Sequence, residues 1–88
     1  MREQFAKEFQ ALVQTERLAQ DNKWGPDKAH KFGKWYLILA EEMGELAKAI
    51  LGDGNWLEEL LQVAAVCQAI YEDQRHKTGV DCPEAIDG

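Results

Sequence analysis

Trp56-Leu-Glu-Glu-Leu-Leu-Gln-Val-Ala-Ala-Val-Cys-Gln-Ala-Ile-Tyr-Glu-Asp-Gln74 is apolar on nearly every side when wound at about 100° per residue. Leu57, Leu60, Leu61, Ala64, Ala65, Cys67 and Ala69 extend the apolar surface beyond the arc of Trp56, Val63, Val66 and Ile70. A helix of that kind must be surrounded by other helices. Asn55 precedes it as an N-cap, with Glu58 at the third position as in a capping box. This helix is expected to run from Trp56 to about Lys77 and to occupy the middle of an all-α bundle. Inside its apolar arc stands one carboxylate, Glu59, with Gln62 on the flank one turn on.

The preceding segment repeats the anomaly. In Ile38-Leu-Ala-Glu-Glu-Met-Gly-Glu-Leu-Ala-Lys-Ala-Ile50, Glu42 falls among Trp35, Ile38, Leu39, Leu46 and Ala49, in the middle of the apolar stripe. Glu45 lies on one edge of that stripe and Glu41 further round. An ionised carboxylate on a face that should be buried is costly unless a cation or hydrogen bonds compensate it. The bland reading of a solvated face, with Lys48 pairing to Glu45 three residues on, suits any one glutamate but not Glu42 and Glu59 together. If the two helices pack antiparallel, Glu42/Glu45 and Glu59/Gln62 converge. Three carboxylates and an amide oxygen are hard donors that suit Mg²⁺ or Mn²⁺ and not zinc.

Upstream, residues ~2–21 read as a first helix with Phe5, Phe9, Leu12, Val13 and Ala19 on one stripe, Glu16 among them. The loop that follows is punctuated by Gly25-Pro26, and a second helix should begin between His30 and Lys34 and end near Leu51. No strand pattern and no repeat is present. The organisation is therefore one helical domain over residues 1–77 and a loose tail over 78–88, with an antiparallel three-helix bundle as the fold. Three helices cannot cover the last one fully, so the bundle is expected to be completed by oligomerisation, as a homodimer or homotetramer.

The 88 residues carry a formal charge of −6, which disfavours nucleic acid and anionic lipid as partners. Lys23, Lys28, Lys31 and Lys34 are the one candidate basic cluster, and a phosphate-binding loop explains them as well as DNA would. No apolar run approaches a membrane span and the N-terminus is not signal-like, so a cytoplasmic setting is expected. Cys67 and Cys82 form neither a disulfide framework nor a metal spacing, and Cys67 reads as a small core residue. Trp24, Trp35 and Trp56 read more simply as packing anchors than as base stackers. His30 reads as a loop histidine, a cap or a solvated side chain. Glu16 either pairs with Arg17 of a neighbouring chain or reaches the acidic site.

Glu41-Glu42-x-x-Glu45, followed by Glu59-x-x-Gln62, resembles the paired acidic signature of MazG-like nucleoside triphosphate pyrophosphohydrolases. Glu16-Arg17-x-x-Gln20-Asp21-x-Lys23-Trp24-Gly25 and Trp35-x-x-Ile38-Leu39-Ala40 are similar to the small phage or mobile-element type of that family, and the resemblance spans roughly residues 16–73. It implies an all-α protein that cleaves a nucleoside or deoxynucleoside triphosphate between the α and β phosphates with Mg²⁺. Carried over by position, Glu42, Glu45 and Glu59 would hold the metal. Glu41 would hold a further metal or position the attacking water. Lys34 and Lys48 would meet phosphate oxygens, and Trp24 or Trp35 would stack the base. The chain departs from the signature at Gln62, where the family has an acid: an amide carbonyl can bind Mg²⁺ but adds no charge, so metal affinity should fall. The alternative is a catalytically weakened helical module that binds nucleotides or a protein.

Overall fold

The protein is described by a computed structural model over residues 1–25, 30–52 and 54–78. Three helices account for nearly all of it: α1 (Arg2–Trp24), α2 (Phe32–Leu51) and α3 (Trp56–Thr78). No strand occurs among the described residues. The fold is an all-α three-helix bundle. Most of the expected loose tail, with Cys82, lies outside the described residues, as does Lys28.

Local chemistry sets the helix ends. α1 runs almost a turn past the expected stop near residue 21, because Asp21 and Asn22 continue the ladder instead of breaking it. It ends where Gly25 adopts φ 96° and returns its N–H to the Asp21 carbonyl at 2.8 Å. That left-handed φ favours glycine, which carries no Cβ to clash. α3 opens as expected, with Asn55 Oδ1 accepting the Glu58 N–H at 3.3 Å. Glu58 and Glu59 place negative charge at the positive end of its helix dipole.

α2 and α3 form an antiparallel hairpin. Trp35 near the start of α2 meets Asp73 near the end of α3. At the other end the chain turns so tightly that a Cβ on Gly54 would stand 2.9 Å from Ala49. α3 packs against α1 on one side and α2 on the other, and α1 and α2 do not pack on each other among the described residues. The middle position expected of the third helix is thus realised within one chain. The core is small: Val13 from α1, Trp35 and Ala49 from α2, and Ala65, Val66 and Ala69 from α3. Alanines at these places let the backbones approach closely and limit how much apolar area the bundle buries.

Two expectations are corrected here. The α1 stripe does not bury as a stripe, since Phe5, Phe9, Leu12 and Ala19 are exposed and only Val13 is covered. Residues 1–12 are all exposed, and α1 meets α3 through its second half, by way of Val13, Arg17 and Gln20. Arg17 can be buried there because its guanidinium is fully engaged, by Glu72 of α3 at 2.8 Å and by Asp21 at 2.6 Å. Cys67 is exposed rather than part of the core, because it lies on an arc of α3 that neither neighbour covers.

Candidate metal centre

The antiparallel hairpin sets the register of the acids. Glu42 lies well back from the end of α2 at Leu51 and Glu59 in the first turn of α3, so they are not level across the hairpin; they are near enough for Glu59 to act on the Glu42 carboxyl. Glu42 is half-buried, and its carboxyl is held above the ordinary carboxylate range. Burial is the largest cause, followed by the like charges of Glu59, Glu45 and Glu41, in that order. Lys23 of α1 opposes them. Glu41, Glu45 and Glu59 therefore each act on Glu42.

α1 closes the third side of this group. Glu16 accepts a hydrogen bond from Gln62 Nε2 at 2.6 Å, and Arg17 pairs with Asp21 and Glu72 of its own chain. Gln20 lies one turn on from Glu16 and Lys23 one turn further, on the same helical face. Glu16 touches Gln62 and Lys23 acts on Glu42, so Gln20 occupies the turn between the two points where α1 addresses the cluster. It is buried, and neither of its amide atoms has a hydrogen-bond partner among the described residues. A buried unpaired amide costs about 1–3 kcal/mol. Gln20 and Lys23 are further candidates that the acidic spacing alone does not reveal. Their signal is the polar i, i+4, i+7 series with Glu16 on the half of α1 that buries.

The chain matches no family model, no curated protein and no solved structure.

Geometry separates the remaining candidates. Lys34 and Lys48 are exposed on the polar arc of α2, beside Glu41 and Glu45, and Trp24 is exposed at the end of α1. Trp35 is 2% exposed and its indole N–H is donated to Asp73 at 2.5 Å. Both its faces are covered, so it anchors α2 to α3 and does not stack a base. Trp56 is exposed at the start of α3. His30 is edge-on to Trp35 at 4.8 Å, and its backbone N–H is donated to Asp73 at 3.2 Å.

Among the described residues no three His, Cys, Asp or Glu side chains are gathered closely enough to hold a metal ion. By chemistry the donors fit a hard divalent cation: three carboxylates raise the proton affinity of a fourth, all are oxygen donors, and no thiol or imidazole stands with them among the described residues. Like-charged carboxylates spread from one another, and a cation is what would draw Glu42, Glu45 and Glu59 together. Gln62 reaches this place through its amide nitrogen toward Glu16, which leaves its carbonyl oxygen as the atom able to ligate.

Proposed function

We propose that the protein is a divalent-cation-dependent hydrolase of nucleoside or deoxynucleoside triphosphates that releases a monophosphate and pyrophosphate. The observation that carries the reading is Glu42: a carboxyl in a partly buried face, raised by three neighbouring carboxylates and relieved by one lysine. The resemblance of Glu41-Glu42-x-x-Glu45 and Glu59-x-x-Gln62 to MazG-like proteins supplies the reaction class. Glu42, Glu45 and Glu59 would hold Mg²⁺ or Mn²⁺, with Gln62 as a neutral fourth donor. When bound, the cation supplies charge neutralisation for the triphosphate and a lowered pKa for an attacking water. Glu41, exposed at the rim, would orient that water. Lys34 and Lys48 on the same arc, and Lys23 across from them, would receive phosphate oxygens. The exposed Trp24 is the base-stacking candidate that remains.

A second reading is a weakened module that binds nucleotide without turning it over. It is favoured by Gln62, which replaces a charged ligand and is hydrogen-bonded to Glu16.

One assay separates them: pyrophosphate release from a panel of NTPs and dNTPs with Mg²⁺, Mn²⁺ or EDTA, for the native chain and Glu42→Gln. The hydrolase shows metal-dependent release that Glu42→Gln lowers by about a hundredfold or more, the scale of losing one group that acts on transition-state charge. Absence of release, with Tm still rising with metal concentration, establishes the binding module. If neither signal is seen, both readings are wrong.

A further inference from the structure

Gln20 is 5% exposed, and neither its amide nitrogen nor its amide oxygen has a hydrogen-bond partner among the described residues. The other buried polar side chains among those residues, Arg17 and Asp73, are both engaged. A buried donor and a buried acceptor left open in one side chain call for a reason, because each weakens the fold.

Its place on α1 narrows the reason. Glu16, one turn earlier, accepts the Gln62 amide of α3 at 2.6 Å. Lys23, three residues on, acts on the Glu42 carboxyl of α2, although α1 and α2 do not pack on each other among the described residues. Gln20 lies between those two points on the same helical face. Trp24 follows Gln20 by one turn and is 37% exposed, so its indole is reachable from solvent.

Amide chemistry decides which ligand group fits. A carboxamide presents N–H donors and a carbonyl acceptor side by side in one plane. A phosphate offers acceptors alone and would leave the Gln20 oxygen open. A divalent cation takes the oxygen alone and would leave the nitrogen open. A nucleobase edge sets a donor beside an acceptor in one plane, which is how a glutamine pairs bidentately with adenine. Bases outside a duplex are held in two ways at once, by hydrogen bonds along the edge and by an aromatic ring against the face.

We propose that Gln20 reads the edge of the substrate's nucleobase, donating one hydrogen bond and accepting another, while Trp24 covers the face of the same base. This rests on the triphosphate reading of the acid cluster and adds to it the residue that recognises the base. The amide can turn over, so what it demands is an edge that carries both a donor and an acceptor.

Titration calorimetry with Mg²⁺ tests it on the full chain and on Gln20→Met. The probes are the α,β-methylene triphosphates of adenosine and cytidine, the same two compounds without the exocyclic amino group, and inorganic tripolyphosphate. For the base it binds better, the native chain should hold the amino form at least about tenfold tighter than the stripped form, whose edge carries acceptors alone. In Gln20→Met that difference should vanish, and tripolyphosphate affinity should stay within about twofold of native. Should Gln20→Met lose its helices by circular dichroism, the side-chain amide signal of Gln20 in the isotope-labelled native chain decides: it should move with nucleotide and not with tripolyphosphate. Equal binding of amino and stripped forms by the native chain overturns the proposal and leaves the triphosphate reading standing. So does discrimination that survives in Gln20→Met, or a loss of tripolyphosphate affinity as large as that of nucleotide, which would put Gln20 on the metal or the phosphates. A native chain that binds neither nucleotide nor tripolyphosphate removes the triphosphate reading, and this proposal with it.

Discussion

The end of the bundle around Asp73 and the middle around Glu42 are built from the same materials and solved in opposite ways. Each sets acidic side chains against the packed faces of the helices. At the end, every acid has a cationic or N–H partner: Asp73 takes the Trp35 indole and the His30 backbone N–H, and Glu72 takes the Arg17 guanidinium. In the middle, Glu42 meets Glu59, Glu45 and Glu41, opposed by Lys23, and Gln20 is buried without a hydrogen-bond partner among the described residues. The first arrangement stabilises the fold. The second destabilises it unless something else arrives, which is how a binding site differs from a structural polar cluster.

The largest effect should come from breaking the satisfied end. Asp73→Ala leaves the indole N–H of Trp35 buried without an acceptor and removes the group that ties α3 to the start of α2. The expected loss is about 3 kcal/mol, read as a lower midpoint in urea denaturation with an unchanged slope. A loss under about 1 kcal/mol would mean that the two regions do not differ in the way argued.

A smaller effect of opposite sign is expected in the middle. Gln20→Met keeps the length of the side chain and removes the unpaired amide, so the protein without ligand should gain about 1 kcal/mol, roughly 5 °C in Tm for a domain of this size. The same variant should respond less to Mg²⁺ with a non-hydrolysable nucleotide. Destabilisation by Gln20→Met would show that the amide is satisfied in solution and belongs with the structural group.

The sequence makes the second region more legible than the first. Glu42 and Glu59 each contradict the apolar arc in which they stand, and the short turn makes the two helices antiparallel neighbours, so that Glu59 acts on Glu42 follows from periodicity and connection. The start of α3 is equally plain from Asn55 and Glu58. By contrast, Trp35 cannot be told from Trp24 and Trp56 until Asp73, on another helix, is placed against it. The contact face of α1 is hidden for a related reason. It is Val13, Arg17 and Gln20 rather than the phenylalanine stripe, and a buried arginine is legible only once Glu72 is known to face it. Exposed Phe5, Phe9 and Cys67 mislead in the other direction, because hydrophobic pattern says that a surface wants cover and not whether the same chain supplies it.

The smallest effect is also the most specific to Glu42. Its folded proton affinity lies above that of the unfolded chain, so the protonated form is the one folding favours. The stability associated with it is complete below the ordinary carboxylate range and is lost as pH rises through its folded value. In EDTA, the native chain should therefore be less stable at neutral pH than Glu42→Gln, by about 0.5 kcal/mol, the scale of a partly screened like-charge contact. The difference should shrink as the pH is lowered through that window, since protonation does to Glu42 what the substitution does permanently. Saturating Mg²⁺ should reverse the order at neutral pH, because the cation stabilises the chain that can bind it. Parallel Tm profiles for the two proteins across pH, with and without metal, check all three statements. Profiles that never diverge would place Glu42 on an ordinary solvated face, and the contrast between the two regions would then lie in Gln20 alone.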